Sequence, residues 1–190
     1  MAIRELDRWL IGRVLEPSPL VLVTSIYHGR PNVMTAAWLT ALGNDPPRVG
    51  LAIMPSRLTH EFISRSEAFA LSVAPLDLLE AVHRCGTLSG RDGDKFAAAG
   101  LRELDARAIE APLVEQGVAF VECGLVNRLA VSDHDLFIGE VLALAAVEDL
   151  FTDRWQIQEG SELIHHIAGA EYTGLSKPYT VRLEPEEGEG

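Results

Sequence analysis

Residues 32–63 read NVMTAAWLTALGNDPPRVGLAIMPSRLTHEFI, and the order of side-chain types in this stretch decides the fold. Asn32 to Leu42 is a strand-like run that carries small and hydroxylated residues, Thr35, Ala36, Ala37 and Thr40. Asn44-Asp45-Pro46-Pro47 stops its pairing, because proline has no amide hydrogen to give to a ladder. Arg48 to Met54 then reads as another strand, and Leu58 to Ser66 as a short helix introduced by Ser56 and Arg57. A flat apolar ligand bearing a phosphate suits this order. Small side chains let a ring approach the backbone, while Ser56, Arg57 and Thr59 offer donors to an anion at a helix N-terminus. Plainer readings stand beside it: Ala36 and Ala37 as tight strand packing, and Ser56 or Thr59 as a helix cap with Arg57 in solvent.

Working outward, MAIRELDRWLIGRVL at the start mixes charges with Ile3, Leu6, Leu10 and Val14 in an amphipathic helix, which Glu16-Pro17-Ser18-Pro19 breaks. Leu20 to Tyr27 is a strand, and the turn His28-Gly29-Arg30 returns it antiparallel into Asn32 to Leu42. Beyond the opening stretch come a strand at Ala68 to Val73 and a helix at about Pro75 to Arg84. A glycine-punctuated loop, Gly86 to Phe96, leads into an alanine-rich helix ending at Gly100. One weak strand is expected at Arg107 to Glu110. Val118 to Val131 and Leu136 to Val147 form a long hairpin joined by Ser132-Asp133-His134-Asp135. Glu148 to Gly160 reads as irregular with some helix, Leu163 to Ala168 as a last strand, Gly169 to Pro178 as a loop, and residues 183–190 as an acidic tail. There is no internal repeat. Residues 1–190 form a single domain, with 1–17 as N-terminal helix and linker. Hairpins outnumber crossovers and neither GxGxxG nor GxxxxGK[ST] occurs, so the reading is mainly β with peripheral helices, an antiparallel barrel with the helices outside.

The chain has 190 residues, 47% apolar and 23% charged, enough for one domain with a substantial core. Its net charge of −12 excludes a nucleic-acid partner, which needs a basic face. From Glu122 onward 14 acidic residues face 4 basic ones, so an anionic ligand belongs with the arginines of the first two-thirds. No apolar run reaches membrane-spanning length and the first residues are no signal peptide, which places the chain in the cytoplasm with no membrane partner. Cys85 and Cys123 lie far apart and read as reduced, buried, small apolar residues. No metal site is expected: Asp92-Gly93-Asp94 fails the calcium-loop pattern, and His165 and His166 have no further ligand at suitable spacing.

The succession NVMTAAW, DPP, SRLTHEFI, AFALSV, SGRDGDKF, LVEQGVAFVEC and DHDLFIGEV resembles the flavin reductase-like family of FMN-binding split barrels over about Pro19 to Val147. The closing LIHHIAGAEYTG is similar to the C-terminal signature of its flavoredoxin-like branch. The resemblance implies a six-stranded Greek-key antiparallel barrel and a homodimer with FMN at its interface. It sets the isoalloxazine ring against Asn32, Met34, Thr35, Ala36, Ala37 and Trp38, with Thr40 following. It also sets the phosphate at Ser56, Arg57 and Thr59. Arg91, Lys95 and Phe96 match the family's loop beside the flavin, and Tyr172 matches a residue that covers it; a structural capping loop and a buried barrel-end tyrosine are the other readings. His134 matches a histidine near the nicotinamide side, with Ser132 where the family has glycine; an exposed turn histidine is the alternative.

The implied activity is hydride transfer from NAD(P)H to FMN, with the reduced flavin serving a possible flavin-dependent partner enzyme. An FMN-binding electron carrier without a productive NAD(P)H site is the alternative. The cofactor performs such chemistry, which agrees with the lack of a catalytic triad or carboxylate pair in the sequence.

Overall fold

The computed structural model describes residues 3–175 and 178–180. Its strands are β1 (Ser18–Pro19), β2 (Val21–Tyr27), β3 (Arg30–Ala36), β4 (Leu39–Asn44), β5 (Pro47–Ile53), β6 (Ala68–Val73), β7 (Glu103–Leu104), β8 (Leu113–Val114), β9 (Ala119–Ala130), β10 (Asp135–Ala146), β11 (Ile164–Ala168) and β12 (Glu171–Gly174). The helices are α1 (Ile11–Val14), α2 (Leu58–Ser66), α3 (Leu79–Thr87) and α4 (Lys95–Ala99).

Seven strands form one antiparallel sheet in the order β3-β2-β6-β9-β10-β5-β4. Its two outermost members, β3 and β4, are consecutive in the chain and separated only by Ala37 and Trp38. A single bent strand therefore borders both ends and turns the sheet into a six-stranded Greek-key barrel. The expected unbroken strand from Asn32 to Leu42 is split at this point. Its first half pairs with β2 and its second with β5, and the Trp38 carbonyl takes the Ala52 amide at 3.0 Å where pairing changes partner.

All seven strands contribute to an interior cluster that includes Val21, Val23, Leu51, Phe69, Cys123 and Phe137, with Ile63 entering from α2. A second core lies outside the barrel, where Leu20, Leu22 and Val33 meet Val82 and Cys85 of α3, Phe96 of α4 and Ile164 of β11. β2 is thus buried on both faces, which is why it reads as a continuous apolar run instead of an alternating one. Both cysteines are free and buried, one in each core.

α2 and β6 have the expected bounds, and the long hairpin is β9–β10. The turn at His28 (φ 51°) and Gly29 (φ 69°) is left-handed at both positions, the geometry that matches strand twist in two-residue hairpins.

Other expectations are corrected. The N-terminal helix shrinks to a 3-10 turn at Arg8–Leu10 and the four residues of α1. Its apolar stripe meets no core, leaving Trp9 75% exposed, and so short a helix is not stable unaided. The double proline does not end pairing: Asp45 and Pro46 make a two-residue turn and Pro47 starts β5 opposite Asn44. The weak strand at Arg107 to Glu110 is absent. Arg107 and Ala108 instead donate their amides to the buried Glu122 carboxylate at 2.6–3.1 Å, and the small ladder is β7–β8. Residues 148–160 contain no helix; Phe151 and Trp155 close a turn with an edge-to-face ring contact. Residues 169–178 were expected as loop, yet β12 pairs there with β11. The acidic tail at 183–190 lies outside the described residues.

Candidate functional site

The bend between β3 and β4 sits at the floor of a cleft with three lobes. One lobe is lined by Asn32, Ser56, Arg57, Thr59, Gly90 and Lys95. A second, of about 380 Å³, is lined by Ala36, Ala37, Trp38 and His134 together with Arg13 and Glu16 of the N-terminal segment. A third is lined by His83, Gly86, His166 and Tyr172. Thr35 borders all three, Met34 and Arg57 border the first two, and Ala37 and His166 border the second and third.

The first lobe is built to be cationic. α2 begins at Arg57 with no side-chain cap, leaving the amides of its first turn without a capping oxygen. Among the described residues the Arg57 guanidinium has neither a hydrogen bond nor an ion pair. Lys95 is only 6% exposed and donates to the Cys85 carbonyl at 2.5 Å. Burial pushes its pKa down to about 8, and Arg57 nearby pushes the same way, while burial pushes the Cys85 thiol up to about 11. Two cations therefore face one space with no carboxylate of the described residues lining it, an arrangement that calls for an anion. Asn32 donates to Thr59 Oγ1 at 2.7 Å, tying β3 to the start of α2. Arg30 donates to the Gly90 carbonyl and holds the 86–90 loop over this lobe. Gly90 has no room for a side chain, since a Cβ would overlap Asn32 Oδ1 and lie 2.9 Å from Leu58 Cδ2.

The second lobe is flatter and more apolar. Thr35 donates to the Val82 carbonyl at 2.5 Å, which fixes the floor to α3. The His134 ring lies 4.8 Å from the Trp38 ring, and its Nδ1 is 2.9 Å from Asp133. Next to it, Asp135 takes His60 Nε2 at 2.8 Å and lies 3.6 Å from Arg128 Nε, so the end of the β9–β10 hairpin is tied to α2. Glu16 is the one acidic residue lining the three lobes among the described residues, and it is engaged with His166 Nδ1 at 3.0 Å.

Asn32, Met34, Thr35, Ala36, Ala37, Trp38, Ser56, Arg57, Thr59, Lys95, His134 and Tyr172 thus line one cleft. Three other candidates do not. Thr40 lies on the exposed part of β4 and bonds the Ala41 carbonyl. Arg91 pairs with Glu61 at 2.8 Å on the surface. Phe96 is buried in the outer core, because its neighbour Lys95 takes the cleft-facing side of α4 and successive helical residues diverge by about 100°. The residue pattern did not point to Glu16, His83 and Gly86 as wall residues, and of the third lobe only Thr35, Ala37 and Tyr172 were among the expected site residues. Among the described residues no cluster of metal-ligating side chains occurs.

A barrel closed by one bent strand, with a flat floor at the bend and a cationic corner at a helix start, defines a class of cofactor-binding domain. Residues 12–171 match the flavin reductase-like domain, and the chain belongs to that family. It is 36% identical over 139 residues to a protein of Pyrococcus abyssi, covering 73% of this chain and 80% of that one. Matches to relatives from Archaeoglobus fulgidus and Aeropyrum pernix span 64% and 59% of their lengths. It is 27% identical over 156 residues to the NADH-dependent FAD reductase of Streptomyces globisporus, covering 81% of this chain and 80% of that one. An FMN-binding protein from Thermus thermophilus, solved with p-hydroxybenzaldehyde bound, superposes with a TM-score of 0.84 at 27% identity, covering 96% and 99% of the two chains.

Proposed function

We propose that this chain binds FMN in the cleft and transfers hydride to it from NAD(P)H, acting in the cytoplasm as a flavin reductase whose reduced flavin serves a partner enzyme. The observation that carries the reading is the Arg57 guanidinium, without a partner among the described residues, beside the buried Lys95 and next to a floor of small residues. The residues fit the group. Arg57, Lys95 and the uncapped start of α2 suit its phosphate, and Thr35 to Ala37 leave space for a flat ring. Bound FMN supplies the two-electron chemistry. The protein binds and orients: Trp38 and His134, whose rings lie 4.8 Å apart at the edge of the second lobe, would hold a nicotinamide against the flavin, and orientation of two flat rings would provide most of the rate. Loss of NAD(P)H absorbance on adding FMN tests this. A protein that turns yellow with FMN yet leaves NAD(P)H unchanged would instead be an electron carrier.

A homodimer belongs to the same proposal. Val131, Leu142 and Leu144 of the long hairpin and Trp9 and Val14 of the N-terminal segment are exposed apolar residues, and an open cleft gains walls from a second copy. Light scattering is expected to give twice the chain mass; a monomer that binds FMN tightly would contradict it.

Lys95 makes the binding pH-dependent. Below about pH 8 its ammonium attracts the phosphate, and above that value the charge is lost. FMN affinity is expected to fall about tenfold from about pH 7 to about pH 9.5, with riboflavin affinity flat, as read by flavin fluorescence titration. Without ligand the sign reverses: the unfolded chain holds the proton more firmly, so stability rises with pH between about 8 and the ordinary lysine value.

A further inference from the structure

The third lobe carries titratable groups that have no part in gripping an anion. Tyr172 Oη lies 2.9 Å from His83 Nδ1, and the two rings meet edge to face at 5.9 Å. On its other side the His166 ring stands 5.4 Å from the tyrosine, also edge to face. His166 has no donor to spare, since Nδ1 faces Glu16 Oε1 at 3.0 Å and Nε2 faces the Gly169 carbonyl at 3.3 Å. Glu16, its side chain more than nine-tenths buried, engages the histidine through Oε1 and is not among the residues lining this lobe. Among the described residues Tyr172 Oη has a single hydrogen-bond partner, His83 Nδ1. When His83 donates Nδ1–H to the phenol oxygen, the hydroxyl proton is left to point into the lobe. Burial pushes the Tyr172 pKa up, which keeps that proton in place at neutral pH. Among the described residues no lysine or arginine lines this lobe, in contrast to the first. Its remaining walls, among them Leu20, Ala37 and Gly86, are uncharged and mostly small.

We propose that this lobe is a subsite for a small, neutral, planar carbonyl compound whose oxygen accepts the Tyr172 hydroxyl proton in a hydrogen bond, with His83 fixing the hydroxyl's direction and the His166–Glu16 pair bracing the tyrosine ring. Such a site, bordering the same Thr35 and Ala37 floor, would hold the electron acceptor; that purpose rests on the flavin reading, whereas binding and polarisation of the carbonyl need only the lobe. An anion is disfavoured here because no cation offsets its desolvation.

The test uses 4-(dimethylamino)cinnamaldehyde, a planar enal whose absorption moves to the red when its carbonyl oxygen accepts a hydrogen bond. The full chain with saturating FMN is titrated against a reference of FMN and aldehyde alone. The wild-type protein is expected to give a red shift that persists in the presence of FMN. Tyr172→Phe, which keeps the ring and its packing, is expected to lose the shift and to bind the aldehyde up to about tenfold more weakly. No shift in the wild-type protein, an unchanged shift in Tyr172→Phe, or displacement of the aldehyde by FMN would each overturn the proposal. A separate FMN titration without aldehyde keeps the two readings apart. Flavin binding with no aldehyde shift removes the subsite alone, and an aldehyde shift with no flavin binding removes the flavin reading alone.

Discussion

Replacing Arg57 with alanine is expected to weaken FMN binding roughly thirty- to hundredfold and riboflavin binding by no more than about threefold. The asymmetry is the point of the experiment, because riboflavin has the ring and the ribityl chain but no phosphate. Arg57 is the N-cap residue of α2 and its side chain makes no capping bond, and among the described residues its guanidinium has no competing partner. Nothing inside the protein is therefore orphaned when it is removed, so the loss reports the missing interaction with ligand and not a collapse of the fold. A forked pair of charge-assisted hydrogen bonds is worth about 2–3 kcal/mol where solvent still reaches the site, which sets the expected range. Lys95 remains in the variant and keeps part of the attraction, so binding weakens without vanishing. Fluorescence titration of both flavins checks this. Equal losses for FMN and riboflavin would remove Arg57 from the phosphate corner and leave the reading of the first lobe without its main support.

How much of this was legible in the sequence depends on whether the deciding contact is local. α2 and β6 were readable to the residue because their patterns are short-range: a nine-residue amphipathic segment after Ser56-Arg57, and an apolar run between Ser66-Glu67 and Ala74-Pro75. The break at Ala37–Trp38 was not, because it arises from a change of partner between β2 and β5, strands on either side of it in sequence. The N-terminal segment carries an apolar period without a surface to receive it, while Gly12 lies so close to the Trp38 ring that an added Cβ would come within 2.8 Å of it. The ladder β7–β8 and the strand β12 have only two to four residues each, too few for any period to appear. At the site the same rule holds. Thr35 to Trp38 and Ser56 to Thr59 announce themselves as compact groups, whereas Glu16 and His83 reach the hairpin of His166 and Tyr172 only in the folded chain. Lys95 and Phe96 were read together because both match the family's loop beside the flavin, yet a helix sends adjacent residues to different environments, one to the cleft and one to the core.

Gly90→Ala is expected to weaken FMN binding more than tenfold and to lower stability by about 1–3 kcal/mol, while Gly93→Ala, three residues away in the same loop, changes neither measurably. The two glycines differ in what surrounds them. A methyl group at Gly93 meets nothing within 4 Å, whereas one at Gly90 overlaps Asn32 Oδ1 and presses on Leu58 at 2.9 Å. Neither has a backbone conformation that requires glycine, so space alone separates them. Asn32 cannot yield cheaply, being buried and bonded to the buried Thr59 at 2.7 Å, and Leu58 is the first residue of α2. The loop must therefore move instead. Arg30, which holds the Gly90 carbonyl, would lose its acceptor as it does so. Residues 86–90 wall the first lobe opposite Arg57, so displacing them separates that wall from the cationic corner and spoils the grip on the phosphate without touching any charged group. Thermal melts and flavin titrations of the two variants side by side check the argument. If Gly90→Ala binds FMN as the parent does, the loop is not part of the ligand's enclosure, and the close approach of Gly90 to Asn32 serves packing alone.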